Sequence, residues 1–249
     1  MLPRNAPRKL PVLIVLHQEH STPGRVGQRI EARGHRLDIR RPRFGDPLPT
    51  TLVDHAGAII FGGPMSANDD EDFVRREIDW LAVPLAEQAP FLGICLGAQM
   101  LARHLGARVG RREDGLVEIG YYPLHPTKAG SELCPWPEKV YQWHGEGFEI
   151  PAGAELLATS ELFPNQAFRY GSSAFAFQFH IELTLAMMHR WTTRGAERFG
   201  QPGAQPRHHH LEGRALYDAQ SSAFLDAFLD GWLALPPARA GRSVVLAAE

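Results

Sequence analysis

Cysteine is scarce in this chain of 249 residues: Cys95 and Cys134 are the only two. That excludes a dense disulfide framework, and free thiols in a reducing compartment are expected, so the chain is read as cytoplasmic. Long apolar runs are missing too. The run from Val12 to Leu16, behind Arg4, Arg8 and Lys9, is shorter than a signal-peptide core, and nothing approaches the ~20 residues of a membrane-spanning helix. No membrane association is expected. Charge of one sign is also lacking, since the formal net charge is -2, which leaves no electrostatic case for a nucleic-acid partner. What remains, 44% hydrophobic and 22% charged residues, is the composition of a globular protein, at a length that suits one large α/β domain. There is no internal repeat and no domain linker.

The organisation is read from strand and helix signatures. "PVLIVLH" (11–17) is short, apolar and bounded by proline and polar residues, as a strand buried on both faces should be. "RVGQRIEARG" has helical spacing after a Pro23-Gly24 turn, and "HRLDIR" suits a second strand. "AGAIIFGGP" (56–64) and "PFLGIC" repeat the strand signature around a helix that opens on acidic residues, and "LGAQMLARHLG" is a further helix. This alternation predicts a doubly wound, mostly parallel sheet, with ligands at the carboxyl ends of its strands. From 107 to 180 the runs "LVEIGYYPL", "KVYQWH", "ELLATS", "QAFRYG" and "AFAFQFH" predict an antiparallel extension of the same sheet. Helices are expected over 182–198 and 211–235, joined by the loop "GQPGAQPRHHH".

Three short segments carry chemistry. Cys95 stands between a strand and a helix, where Gly93 and Gly97 permit a sharp turn. A helix N-terminus there favours thiolate and offers N–H groups to an oxyanion. Taken alone, a lone cysteine in an apolar run reads more readily as core. In "FQFHIE", His180 and Glu182 share one face of a strand end, so a carboxylate can fix the tautomer of an imidazole that exchanges a proton with a thiol. "FGGPMS" (61–66) is a glycine turn without the spacing of a phosphate loop. The triplet His208–His210 lacks regular ligand spacing and is read as solvated loop, so no metal is expected; Cys134 is read as structural.

Together, "GICLGAQ", "QFHIE" and "GGPMS" resemble, in order, the nucleophile, His-x-Glu and oxyanion motifs of the class I glutamine amidotransferases, in particular the amidotransferase domain of GMP synthetase and its stand-alone relatives. The resemblance spans roughly residues 11–190. It implies the family's flavodoxin-like α/β fold, with residues 1–10 as an N-terminal extension, 11–190 as the amidotransferase domain and 191–249 as a helical extension packed on it. It also implies Cys95 as nucleophile, His180 as general acid and base, Glu182 as the orienting carboxylate, and the N–H groups of Gly63 and Leu96 as the oxyanion hole. Gln99 is implied to hold substrate glutamine, and "YQWHGEGFEIP" to present the backbone of Trp143 and His144 to the substrate's α-amino acid end. Ile181 stands where many members have proline, Trp143 where they have a small residue, and Glu146 where they have aspartate. No pyrophosphate loop of the synthetase half is present.

The activity implied is hydrolysis of the γ-carboxamide of glutamine through a Cys95 thioester, releasing ammonia, with no cofactor and with a separate ammonia-acceptor enzyme as partner. A γ-glutamyl peptide hydrolase, and a non-catalytic binding or regulatory protein on the same fold, are the alternatives.

Overall fold

The first strand, β1 (Val12–Val15), sends Leu13 and Val15 to one face and Val12 and Ile14 to the other, all four fully buried. Each face of the sheet therefore needs its own helical cover. The computed structural model describes residues 9–239, so residues 1–8 of the expected N-terminal extension and 240–249 of the C-terminal one lie outside the described residues. After β1 come α1 (Gly24–Ala32), β2 (Leu37–Arg40), β3 (Gly57–Ile60), α2 (Asp72–Trp80), α3 (Ala82–Ala86), β4 (Phe91–Ile94) and α4 (Leu96–His104). A strand-rich stretch follows: β5 (Val109–Arg111), β6 (Glu118–Pro123), β7 (His125–Pro126), then α5 (Lys128–Leu133), β8 (Lys139–His144), β9 (Glu146–Phe148), β10 (Ala154–Thr159), β11 (Ala167–Tyr170) and β12 (Ala174–Phe177). The described chain closes with α6 (Leu185–Arg194), a 3-10 turn (Ala196–Gly200) and the long α7 (Arg207–Leu233).

Eight strands form one sheet in the order β2-β1-β3-β4-β12-β11-β10-β7. The first five are mutually parallel, and β11, β10 and β7 continue antiparallel. The doubly wound parallel sheet with an antiparallel extension is thus the architecture. Two runs expected in that extension are not in it: β6 and β8 pair with each other as a separate ribbon. Their inward tyrosines, Tyr121 and Tyr141, have a core of their own with Leu183, Met187 and Met188. That satellite core draws the ribbon off the sheet edge.

One face of the sheet is covered by α1 and α7, with Phe224, Leu225, Phe228, Leu229 and Trp232 buried among Val12, Ile14, Ile59 and Phe177. The other is covered by α2 and α4 through Val74, Trp80, Ala98 and Leu101. The expected loop "GQPGAQPRHHH" ends sooner than its composition suggests, because residues 207–210 form the first turn of α7. His210 is buried there, with Nδ1 2.9 Å from the Tyr141 hydroxyl and Nε2 donating to the Gln205 carbonyl at 3.0 Å. The expected helix over 182–198 starts late, at Leu185, because the Thr184 hydroxyl caps it by accepting from Met187 N–H. Cys134 is buried in the α7-side core, and burial pushes its thiol up to about 11, as befits an inert side chain. Among the described residues no helix is long and apolar enough to cross a membrane.

Helix α4 approaches β3 so closely that a Cβ on Gly97 would lie 2.1 Å from the Ile60 carbonyl oxygen. Backbone cannot yield as a side-chain tip can. Gly97→Ala is therefore expected to cost about 1–3 kcal/mol by overpacking, read as a fall in the urea midpoint at unchanged slope.

Candidate active site

Four neighbouring parallel strands, β1, β3, β4 and β12, end at the same level, and the residues just past each end converge. These are His17, Gly62 and Gly63, Cys95, and the segment from Gln178 to His180. The register fixes this: Val15 pairs with Ile60, Ile60 with Gly93, and Ile94 with Phe177. Cys95 is then held by its own N–H, which donates to the Phe177 carbonyl at 2.8 Å.

Cys95 sits at φ 52 and ψ -105, immediately before α4. An L-residue rarely adopts that conformation, and the strain is of the order of 1–3 kcal/mol. It results from turning the chain from strand to helix within one residue, and it aims the thiol at the space above the sheet. Gln178 donates from Nε2 to the Cys95 sulfur at 3.8 Å.

His180 follows two residues later. Its Nδ1–H donates to Glu182 Oε1 at 2.7 Å, both residues being buried. This fixes the imidazole so that Nε2 is the working nitrogen; Nε2 is buried without a formed hydrogen bond, and Cys95 is beside it. Burial opposes a charged His180, but the Glu182 carboxylate and the Cys95 sulfur outweigh it, and the pKa is pushed up to about 10. Glu182 is anchored in turn from α1, whose Arg25 N–H donates to the Glu182 carbonyl at 2.8 Å. That approach requires Gly24, at φ +51, since a Cβ there would lie 2.2 Å from the same oxygen.

The N–H groups expected to form an oxyanion hole are placed accordingly. Leu96 is the first residue of α4, whose first N–H groups have no intrahelical acceptor. Neither Leu96 N–H nor Gly63 N–H donates to another group among the described residues. A Cβ built on Gly62 would lie 3.0 Å from His180 Cε1 and 3.8 Å from the Cys95 sulfur, so the glycine turn walls the same space.

His17 orients that turn, a role its sequence context alone does not assign. Its Nδ1 lies 3.2 Å from the Gly62 carbonyl oxygen and its Nε2 2.8 Å from Glu77 Oε2, and His17 and Glu77 are both fully buried. No peptide among the described residues is cis. In a trans peptide the C=O and N–H point oppositely, so a Gly62 carbonyl held by His17 turns Gly63 N–H away from His17. The signal in the sequence is a histidine closing an otherwise apolar strand.

These groups open into a cavity of about 310 Å³ lined by Gly62, Gly63, Cys95, His180, Trp143 and arginines of α6 and the turn after it. Trp143 is pinned between Trp191, Phe199 and the guanidinium of Arg198, which lies 5.5 Å from its ring. Two expected substrate contacts fall elsewhere. Gln99 is buried on the α4 face turned to β9, and its amide donates to the Glu146 carbonyl at 3.0 Å and to Gln178 Oε1 at 3.2 Å, so it braces Gln178 behind the thiol. The His144 side chain points away from the cavity. Its Nε2 donates to buried Glu118 at 3.0 Å, and Ser160 and Gln166 donate to the same carboxylate. Glu146 accepts from the Ser66 hydroxyl at 2.8 Å, tying the segment after the glycine turn to β9. The grouping of metal-type donors among the described residues is His208, His209 and Glu212, whose ligand atoms lie within 4.8 Å of one another on the exposed start of α7; none of them lines the cavity.

The sequence is similar over 184 residues, at 29% identity, to the glutamine amidotransferase-like protein YfeJ of Salmonella typhimurium, covering 70% of this chain and 76% of that protein. It is 39% identical over 135 residues to one component of the two-part name "GMP synthase [glutamine-hydrolyzing]" in Thermococcus kodakarensis, a separate subunit of which 66% is covered, against 51% of this chain. Against the GMP synthase of Streptococcus mutans the match covers 61% of this chain but 28% of the longer enzyme, at 32% identity. Among solved structures, a glutamine amidotransferase of Methylobacillus flagellatus superposes with a TM-score of 0.83 at 27% identity, over 90% of this chain and 94% of its own. One from Thermotoga maritima gives 0.80 at 29%, over 91% and 99%. The family model "Glutamine amidotransferase class-I" matches residues 19–194. The chain belongs to the class I glutamine amidotransferase family.

Proposed function

We propose that this protein hydrolyses the γ-carboxamide of glutamine, or of a glutamine-like γ-glutamyl compound, with Cys95 as nucleophile. The observation that carries the proposal is the convergence on one cavity of a strained thiol, a His180–Glu182 pair with Nε2 left over, and two N–H groups without acceptors. In this reading the Cys95 sulfur attacks the γ-carbonyl carbon. The carbonyl electrons move to oxygen, which accepts from Gly63 and Leu96 N–H. The C–N bond then breaks as His180 Nε2 delivers a proton to the nitrogen, and ammonia leaves a thioester. Water attacks that thioester, giving its proton to Nε2, and the thiolate departs from a glutamate γ-carboxyl group. His180 thus serves as acid and then base, a role worth roughly 10²–10⁴-fold. His17 and Glu77 act as positioning residues for the Gly63 donor.

The raised pKa of His180 supports an imidazolium held between Glu182 and the sulfur. Cys95→Ala removes one of those two influences, so the His180 titration followed by NMR should move to lower pH. The sign for stability follows from a raised pKa: the stabilisation from this pair is complete below the unfolded value of about 6.5 and is lost as pH rises through about 10.

The relative that is a separate subunit of a GMP synthase, and the two free thiols of this chain, support a cytoplasmic protein that passes ammonia to a separate acceptor enzyme. Hydrolysis of γ-glutamyl amides or peptides is the second reading, and the arginines on the cavity favour it. The deciding experiment treats the purified protein with glutamine and with a diazo-ketone glutamine analogue, following ammonia and adduct mass. Stoichiometric labelling of Cys95 with ammonia release is expected; an unlabelled Cys95 with no turnover of any γ-glutamyl compound sinks the proposal.

A further inference from the structure

Helix α6 carries Arg190 and Arg194 four residues apart, hence on one face, and Arg198 continues the row in the 3-10 turn. All three line the cavity that contains Cys95 and His180. Among the described residues none of the three forms a salt bridge. The arginines of α1, by contrast, are all paired with carboxylates of α7. Three unpaired cations around one hollow repel each other unless an anion joins them. They are also spatially resolved. Arg198 lies over Trp143, where the α-amino acid end of a γ-glutamyl group is expected, whereas Arg190 and Arg194 line a second hollow of about 150 Å³ with Gln18 and Ser21. Glu19 and His20 border that hollow, but the Glu19 carboxylate faces His20 at 3.9 Å, and Arg190 donates to the His20 carbonyl at 3.2 Å.

One α-carboxylate can occupy Arg198; glutamine has nothing to offer the other two. Resting on the γ-glutamyl reading above, we propose that the substrate is a γ-glutamyl compound whose leaving amine is itself anionic, such as an amino acid or acidic peptide, held by Arg190 and Arg194. Cleavage then follows the same steps, with the carboxylated amine taking the proton from His180 in place of ammonia. Ser21 and Gln18 add neutral donors at the rim. Arginine suits this task because its planar fork meets a carboxylate through two parallel hydrogen bonds.

The test compares γ-glutamylethylamide, γ-glutamylglycine and γ-glutamylglutamate, which share the scissile bond and carry zero, one and two carboxylates beyond it. kcat/KM should climb along the series by at least about tenfold from first to last. In an Arg190→Gln, Arg194→Gln double variant the ratio between last and first should collapse towards one. Added salt should lower the ratio in the unaltered protein. In Cys95→Ala, calorimetry should find γ-glutamylglutamate binding more tightly than glutamine, a readout independent of turnover. A flat or inverted series, with Cys95 still labelled by the glutamine analogue, overturns the anionic leaving group and leaves the hydrolase standing. Absence of both labelling and turnover removes the underlying reading, and this inference with it.

Discussion

Cys95→Ala is expected to reduce γ-glutamyl hydrolysis by roughly 10³-fold or more, with a folded protein that still binds its ligand. The thiol supplies the one electron pair the reaction starts from, and no other group on the cavity is a comparable nucleophile. Cys134 is remote from it in function, buried in the α7-side core with its thiol pushed up to about 11. Cys95→Ser keeps a similar shape but presents a hydroxyl, and should be nearly as inactive. Turnover comparable to the unaltered protein in Cys95→Ala would rule out the thioester. A stability measurement on the same position tests the strain separately. Alanine retains a Cβ and so retains the cost of φ 52, whereas glycine does not. The strain relieved, of the order of 1–3 kcal/mol, exceeds the about 0.4–1 kcal/mol that glycine adds to unfolded-state entropy. Cys95→Gly should therefore melt above Cys95→Ala although both are inactive.

The parallel half of the fold was legible because its strands are buried on both faces and read as unbroken apolar runs, from "PVLIVLH" to "PFLGIC". The ribbon of β6 and β8 was not, since strand propensity says nothing about which partner a strand takes. Its separation from the sheet depends on Tyr121 and Tyr141 meeting α6 residues distant in sequence. The start of α7 was misjudged for a similar reason: a proline followed by three histidines looks solvated until Tyr141 and Gln205 are placed around His210.

At the site, the motifs located Cys95, His180 and Glu182 because each is defined by spacing along the chain. Gln99 and His144 show the limit of motif transfer. Both stand at recognisable motif positions, yet their side chains are spent on internal hydrogen bonds, to Gln178 and to Glu118. Gln178 itself lay inside the quoted "FQFHIE". Its alternation with His180 places it beneath the thiol, a consequence of β12 lying parallel to β4 in register. The arginines of α6 could not be assigned to a cavity before the helix was placed over it.

His17→Ala should be the most damaging change outside the triad, costing about 3–5 kcal/mol of stability because it leaves the buried Glu77 carboxylate without its partner. Glu77 Oε1 already lacks a hydrogen-bond partner, so the loss falls on a group with no reserve. Activity should fall separately, by up to about 10²-fold, as the freed Gly62 carbonyl lets the Gly63 N–H drift from the oxyanion position. The two effects divide cleanly in designed variants. His17→Asn places an amide near the position of Nδ1, where it still donates to Gly62 but no longer reaches Glu77. His17→Gln does the reverse. Asparagine should therefore retain more kcat than glutamine, with both less stable than the unaltered protein. A His17→Leu, Glu77→Leu double variant removes the buried charge altogether and should recover much of the stability while kcat stays low. Full kcat in that double variant would show that the pair serves packing alone and that the glycine turn orients its own N–H.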